Sequence, residues 1–264
     1  MFLFQPDSFV VSDVVVSPNF DDRRDGIEPD MIILHYTGMQ DEGAALERLC
    51  AADSKVSAHY VVFTDGRIVQ CVPEKARAWH AGVSRWAGET DINSRSIGIE
   101  IANPGHDFGY PAFPLRQTAA VIAVCKGILT RRPKVRSERV LAHSDVAPER
   151  KQDPGEKFPW ALLYDSGVGH WVRPAPLTLD GPRMRQGDKG SDVADLQTML
   201  GEYGYGIAVT GDYDEATTQI VTAFQRHFRP QRVDGIADAS TRMTLRALIE
   251  THPAGAAERL TRGA

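Results

Sequence analysis

A chain of 264 residues with 42% hydrophobic and 25% charged side chains has room for one medium domain plus a small one, and the make-up of an ordinary globular protein. Its formal net charge of -5 argues against a nucleic-acid partner, which needs a concentrated basic face. No window approaches the ~18 consecutive apolar residues of a membrane span, and the scattered Cys50, Cys71 and Cys125 read as reduced thiols, not as a disulfide framework.

In chain order, the N-terminal stretch MFLFQPDSFVVSDVVV is apolar but has no basic start, and Pro6, Asp7 and Asp13 interrupt it. It therefore does not read as an export signal, which favours a cytoplasmic protein; removal of a leader would leave a periplasmic or outer-membrane-associated one. Residues 31–36 (MIILHY) and 58–63 (AHYVVF) are short β-rich runs bounded by breakers and predict buried strands. Thr64-Asp65-Gly66-Arg67 predicts a hairpin turn into a strand from Ile68 to Val72. Helices are expected near 43–52 and 114–129, the second with Pro114 in its first turn. Between them Ser96 to Ile101 reads as a strand that ends at Asn103-Pro104-Gly105. Arg131, Arg132, Lys134 and Arg136 read as a solvated loop after a helix, because no aromatic residues interleave them.

A further short apolar run, Val140 to Ala142, completes an α/β domain with a central mixed sheet flanked by helices, expected over residues 1–172. The proline-rich stretch 173–183 predicts a stiff, extended linker. Beyond it, helical apolar spacing returns in three segments, and a compact three-helix module is expected over 184–252, followed by a frayed tail from Pro253. The module contains a repeat: Gly211, Asp214 and Thr217 recur as Gly235, Asp238 and Thr241. In both copies the Asp suits a helix N-cap and the Gly a preceding turn.

The chemistry gathers around two histidines. His35 and His143 each end an apolar run, where site residues collect at the edge of a sheet, and Asp153 follows His143 closely enough to join it through a loop. Singly they would be core histidines and a turn residue. Together they supply two imidazoles and one carboxylate with a fourth position open, the arrangement of a hydrolytic zinc site. Glu100 lies in the strand SIGIEI, opposite in face to Ile99 and Ile101, and a carboxylate there is costly unless paired or functional. It is the candidate general base. Lys151 is a candidate to stabilise the oxygen that turns negative as a carbonyl is attacked.

The blocks MIILHYTG, VSAHYVVFTDGRIVQCVPEKARAWHAGVS, SIGIEIANPG and LAHSDVAPERKQDPG together resemble the zinc-dependent N-acetylmuramoyl-L-alanine amidases of the amidase-2 group, related in fold to peptidoglycan recognition proteins. The helical segments resemble the common peptidoglycan-binding domain, and the pairing resembles the two-domain, AmiD-like branch of the amidases. The resemblance implies one zinc ion held by His35, His143 and Asp153, with Glu100 as the catalytic glutamate and Lys151 as the stabilising lysine. It implies peptidoglycan and muropeptides as partners, and cleavage of the amide between the lactyl group of N-acetylmuramic acid and L-alanine. Trp79 and His80, from AWHAG, are expected to line the substrate cleft. Tyr60, Arg77 and Asn103 are further candidates for substrate contact. A non-catalytic receptor for muropeptides is the alternative that the same fold allows.

Overall fold

Why the sheet takes the shape it does follows from runs of branched side chains too short for helices. In the computed structural model, which describes residues 4–253, the strands are β1 (Asp13–Val14), β2 (Phe20–Asp22), β3 (Met31–Tyr36), β4 (Tyr60–Val62), β5 (Ile68–Gln70), β6 (Ala76–Ala78), β7 (Ser96–Ile101) and β8 (Val140–Ala142). The tail expected beyond Pro253 lies outside the described residues. Six strands form one sheet in the order β1-β5-β4-β7-β3-β8, and β2 pairs with β6. Only β4–β5, the predicted hairpin, is antiparallel within the large sheet; the other neighbours run parallel. The sheet is mixed, as expected.

The helices are α1 (Glu42–Cys50), α2 (Ile92–Arg95), α3 (Leu115–Arg131), α4 (His143–Val146), α5 (Trp160–Asp165), α6 (Ser191–Tyr203), α7 (Glu215–Phe228) and α8 (Ala239–Thr251). Asp41 caps α1, accepting from the Ala44 amide at 2.7 Å. Pro114 stands at the N-cap of α3 instead of inside its first turn, with extended backbone.

Alternation along the central strands divides the core in two. Ile32, Leu34, Ile97, Ile99 and Ile101 face α3, where Val121, Val124 and Ile128 cover them. Met31, Ile33 and Leu141 face the other way, into one continuous apolar cluster with Val193, Leu196 and Leu200 of α6, Ile220, Phe224 and Phe228 of α7, and Leu245 and Leu248 of α8. The C-terminal helices are thus the second layer over the sheet, not a separate body on a tether. The proline-rich segment lies against α8, with the Ala175 amide donating to Thr244 Oγ1 (3.0 Å) and Ser240 Oγ to the Ala175 carbonyl (2.6 Å).

Two polar contacts fix this layer. Asp145 in α4 is buried, and its carboxylate accepts from Tyr205 Oη (2.8 Å), from His227 Nδ1 of α7 (2.6 Å) and from the Ala142 amide (2.8 Å). His227 stacks on Trp160 of α5 at 3.6 Å between ring centroids. Within the helical layer, the repeat has the capping role its sequence predicts. Asp214 accepts from the Thr217 amide and Asp238 from the Thr241 amide, both at 2.8 Å.

The basic cluster is only in part the solvated loop expected from sequence: Lys134 and Arg136 are exposed there, but Arg131 and Arg132 are not free. Arg131 and Arg132 pair with the buried carboxylate of Glu74 at 2.6 and 2.9 Å, while Lys134 and Arg136 pair with Glu28 and Glu138. A carboxylate buried under the sheet needs such partners, and the end of α3 supplies them.

Candidate metal centre

The parallel register β3–β7 sets His35 opposite Glu100, on the same face as Met31 and Ile33 and at the C-terminal end of the sheet. Beside β3, strand β8 runs directly into α4, so His143 opens that helix next to His35. Asp153 returns on the following loop, where its carbonyl accepts the Ser144 amide at 3.0 Å. Three atoms converge: His35 Nδ1 and His143 Nδ1 are 2.9 Å apart, and Asp153 Oδ2 lies 3.3 and 3.0 Å from them. These spacings approach the ~3.3 Å edge of a tetrahedron with the ~2.0 Å bonds of zinc. Among the described residues this trio is the group of histidine, cysteine and acidic side chains able to hold a metal ion.

The outward nitrogens decide the protonation of the inward ones. Ser96 Oγ donates to the Ile92 carbonyl (2.6 Å), which leaves it to accept from His80 Nε2 at 3.1 Å. His80 Nδ1 must then accept, and His35 Nε2 donates to it at 3.0 Å. His143 Nε2 donates to the Ala81 carbonyl at 3.2 Å. Both Nδ1 atoms therefore carry lone pairs, an assignment made from the hydrogen-bond network. Two lone pairs and a carboxylate meeting at about 3 Å are the donor set that a divalent cation takes. The donor set fits a metal.

The electrostatics agree. Burial, then the neighbouring His143, lowers His35 to about 4, so it is neutral and competent to ligate at ordinary pH. Burial pushes the Asp153 carboxyl upward, but the positive charge and hydrogen bonds of protonated His143 and His35, whose place a bound cation would take, outweigh it and hold the group well below the carboxylate range. Glu100 behaves oppositely. Burial, then the Asp153 charge, raises it well above its ordinary value, with Lys151 pulling it back. Its Oε2 is buried and has no hydrogen-bond partner. His35, His143, Asp153, Glu100 and Lys151 all line one cavity of about 240 Å³, which runs on past Tyr36, Trp79 and His80 to Arg48 and Leu49 of α1.

The other candidates divide. Trp79 and His80 line the cavity, held by Ser57 Oγ accepting from the Trp79 amide (2.9 Å) and Asn93 Oδ1 from the His80 and Ala81 amides (3.1 and 2.8 Å). Tyr60 is a correction: it points to the opposite face of the sheet, fully buried, and donates to Glu74 at 2.7 Å. The parity that puts Glu100 in the site puts Tyr60, the register partner of Ile99, out of it. Arg77 is engaged by Asp21 and Asp91 at 3.2 and 3.0 Å and borders a different cleft. Asn103 is 3% exposed and holds its own turn, donating to the Pro111 carbonyl (3.0 Å) and accepting the Gly105 amide (2.9 Å).

Sequence reasoning missed Ser96 and Gly98. Both share the face of Glu100, and a Cβ on Gly98 would run into the His80 ring. It also missed Tyr110, which donates to the Pro154 carbonyl at 2.6 Å and so holds the loop that carries Asp153. A glycine amid isoleucines in SIGIEI was the one available signal, since such a glycine marks a close approach.

Converging acceptors beside a buried carboxylate whose pKa is raised are the features of a metal-assisted hydrolase site. Residues 25–156 match the amidase-2 family, described as N-acetylmuramoyl-L-alanine amidase, and residues 189–245 match a family described as putative peptidoglycan binding domain. The chain is 37% identical to N-acetylmuramoyl-L-alanine amidase AmiD of Escherichia coli (strain K12) over 236 residues, 84% of this chain and 83% of that protein. It is also similar to the solved complex of Escherichia coli AmiD with anhydro-N-acetylmuramic acid-L-Ala-D-gamma-Glu-L-Lys, with a TM-score of 0.72 and 35% identity, covering 88% of this chain and 93% of that one. AmpDh3 from Pseudomonas aeruginosa in complex with anhydromuramic pentapeptide gives a TM-score of 0.73 at 34% identity, covering 87% and 94%. The chain belongs to the N-acetylmuramoyl-L-alanine amidase family.

Proposed function

We propose that this protein hydrolyses the amide between the lactyl carbonyl of N-acetylmuramic acid and L-alanine of the stem peptide, with one zinc ion held by His35, His143 and Asp153. The observation that carries the reading is the proton inventory of the site: both Nδ1 atoms and the Asp153 carboxylate face one point as acceptors. Bound there, zinc would polarise the carbonyl and bring the pKa of a water to about 7.

The chain's own groups do the rest. Glu100, with a raised pKa and a free Oε2, takes the proton of the attacking water. Lys151 brings a positive charge to the carbonyl oxygen as it becomes negative. Glu100 then returns the proton to the departing amine of L-alanine, so no covalent enzyme intermediate forms. The products are the free peptide and a sugar that keeps its lactyl acid. A purely receptor-like role would leave the orphaned Glu100 oxygen and the three converging acceptors without a purpose.

Mass spectrometry of products from purified sacculi and from a soluble anhydro-muropeptide tests the reaction. Free stem peptide together with intact lactyl-bearing sugar is expected. A chelator should abolish release and added zinc restore it; undiminished release in excess chelator would remove the metal from the reaction.

A further inference from the structure

The scissile amide has a peptide on one side and a glycan on the other, so a cleft that cuts polymer must leave the metal in two directions. One is the cavity toward α1, where Arg48 supplies a cation that suits the carboxylates of a stem peptide. The second opens at Lys151, which also borders a groove of about 340 Å³ between the Asp153 loop and α7. Its far wall comes from the C-terminal module. Thr218, Thr222 and Arg226 recur every four residues on one partly exposed stripe of α7, with Gln219 beside them, while Thr217, Ile220, Val221 and Phe224 turn inward.

Apart from the exposed carboxylate of Glu149 and the ammonium of Lys151, the groove offers uncharged groups. Arg150 spends its guanidinium on the Ala81 and Val83 carbonyls, and Arg226 reaches Gln152 Oε1 (3.4 Å) and the edge of Glu156 (3.9 Å). Beside the Glu149 and Lys151 charges lie the Gln219 amide and the Thr218 and Thr222 hydroxyls, whose donors bond the Asp214 and Thr218 carbonyls and whose lone pairs stay available. Amides and hydroxyls along a shallow trough suit the hydroxyl and acetamido groups of a glycan. The wall is also fixed in place: Asp145, two residues from His143, is gripped by Tyr205 and by His227 of α7, next in sequence to Arg226.

We propose that this groove is a glycan subsite of the active site, in which sugars beyond the muramic acid lie across Gln152 and the Thr218–Gln219–Thr222 stripe of α7. The C-terminal module then takes part in each turnover and does not merely hold the enzyme near the wall. The inference rests on the amidase reading above.

The test compares the zinc-loaded wild type with Gln219→Trp, which fills the groove, and Gln219→Ala, which only removes the amide. Gln219 is partly exposed, and among the described residues its side chain bonds only Glu215, at 3.2 Å, so both variants should fold. kcat/KM is measured on a muropeptide with a single muramic acid and on a glycan tetrasaccharide carrying the same peptide. The ratio of the second to the first should fall roughly tenfold in Gln219→Trp, mostly through KM, and a few-fold in Gln219→Ala, the scale of one or two lost hydrogen bonds. A tetramer of β-1,4-linked N-acetylglucosamine, which has no scissile amide, should bind the wild type saturably and lose that binding in Gln219→Trp. A ratio that stays within twofold of wild type in both variants would overturn the subsite while leaving the amidase reading intact. Failure of the wild type to release peptide from either substrate would overturn both.

Discussion

An imidazole has two nitrogens, and at this centre the partner of the outer one dictates what the inner one offers. The relay Ile92 carbonyl, Ser96, His80, His35 ends in a lone pair aimed at the metal position. Ser96→Ala removes the acceptor that fixes His80, and zinc affinity in a chelator competition should drop about 10- to 100-fold. An unchanged affinity would show that His35 is held by packing alone. Glu100→Ala should cost roughly 10²–10⁴ in kcat while one zinc per chain is retained, because Glu100 is not among the converging ligands. Near-normal turnover in that variant would remove Glu100 from the reaction. Acid stability gives a third expectation at this scale. Burial, then Arg23, lowers His59 to about 3, and burial, then His252, lowers His170 to about 4. Unfolded, both would titrate near 6.5. Between these limits the unfolded chain binds more protons, so stability falls as pH drops below about 6.5. His59 alone should cost ~2 kcal/mol by pH 5. Tm should therefore be lower at pH 5 than at pH 7; equal values would contradict the buried neutral state. Of these residues, His35, His143 and Glu100 were legible because each breaks an apolar run, and Asp153 only in combination with the two histidines, whereas Ser96 and Tyr110 are ordinary in composition and matter only through what they touch across the fold.

At the scale of elements, parity along β7 sorts its side chains. Ser96, Gly98 and Glu100 face the metal side, and Ile97, Ile99 and Ile101 face α3. Gly98→Ala would press a methyl group into the His80 ring, which cannot yield without letting go of His35 or Ser96. The variant should lose both zinc affinity, by about tenfold or more, and thermal stability. Tm and affinity at wild-type values would mean that the ring has room to shift. Strands β3 and β7 were readable from sequence because a short apolar run between breakers has few alternatives. The same local reasoning misplaced Tyr60, since knowing which face of β4 meets the metal takes the pairing of Val61 with Glu100, a long-range fact. It also misread Arg131 and Arg132, whose partner Glu74 is far away in sequence.

At the scale of the molecule, Met31, Ile33, Trp86, Leu141 and Val146 share a single apolar cluster with α6, α7 and α8. Returning each large side chain of that set to water costs about 1.5–3 kcal/mol, a sum comparable to the ~5–15 kcal/mol that holds a typical domain folded. The two regions should unfold in one calorimetric transition; two well-separated ones would show that the shared cluster does not couple them. Truncation from Arg183 onward should weaken retention on insoluble peptidoglycan. It should also lower Tm sharply and loosen the His143 segment, because Asp145 would lose Tyr205 and His227. Sequence marked the helices, their caps and a stiff, extended proline-rich linker, but nothing local in 173–183 reveals what that segment lies against.

The shared apolar layer also bears on how such an enzyme can be rebuilt. A wall-recognition unit borrowed from another amidase could not simply be spliced on after the prolines. It would have to bring a hydroxyl and an imidazole for Asp145 and a surface moulded to Trp86, or the recipient would be left with a raw face beside its own metal ligands. The C-terminal helices and the integrity of the catalytic half are, in this architecture, inherited together.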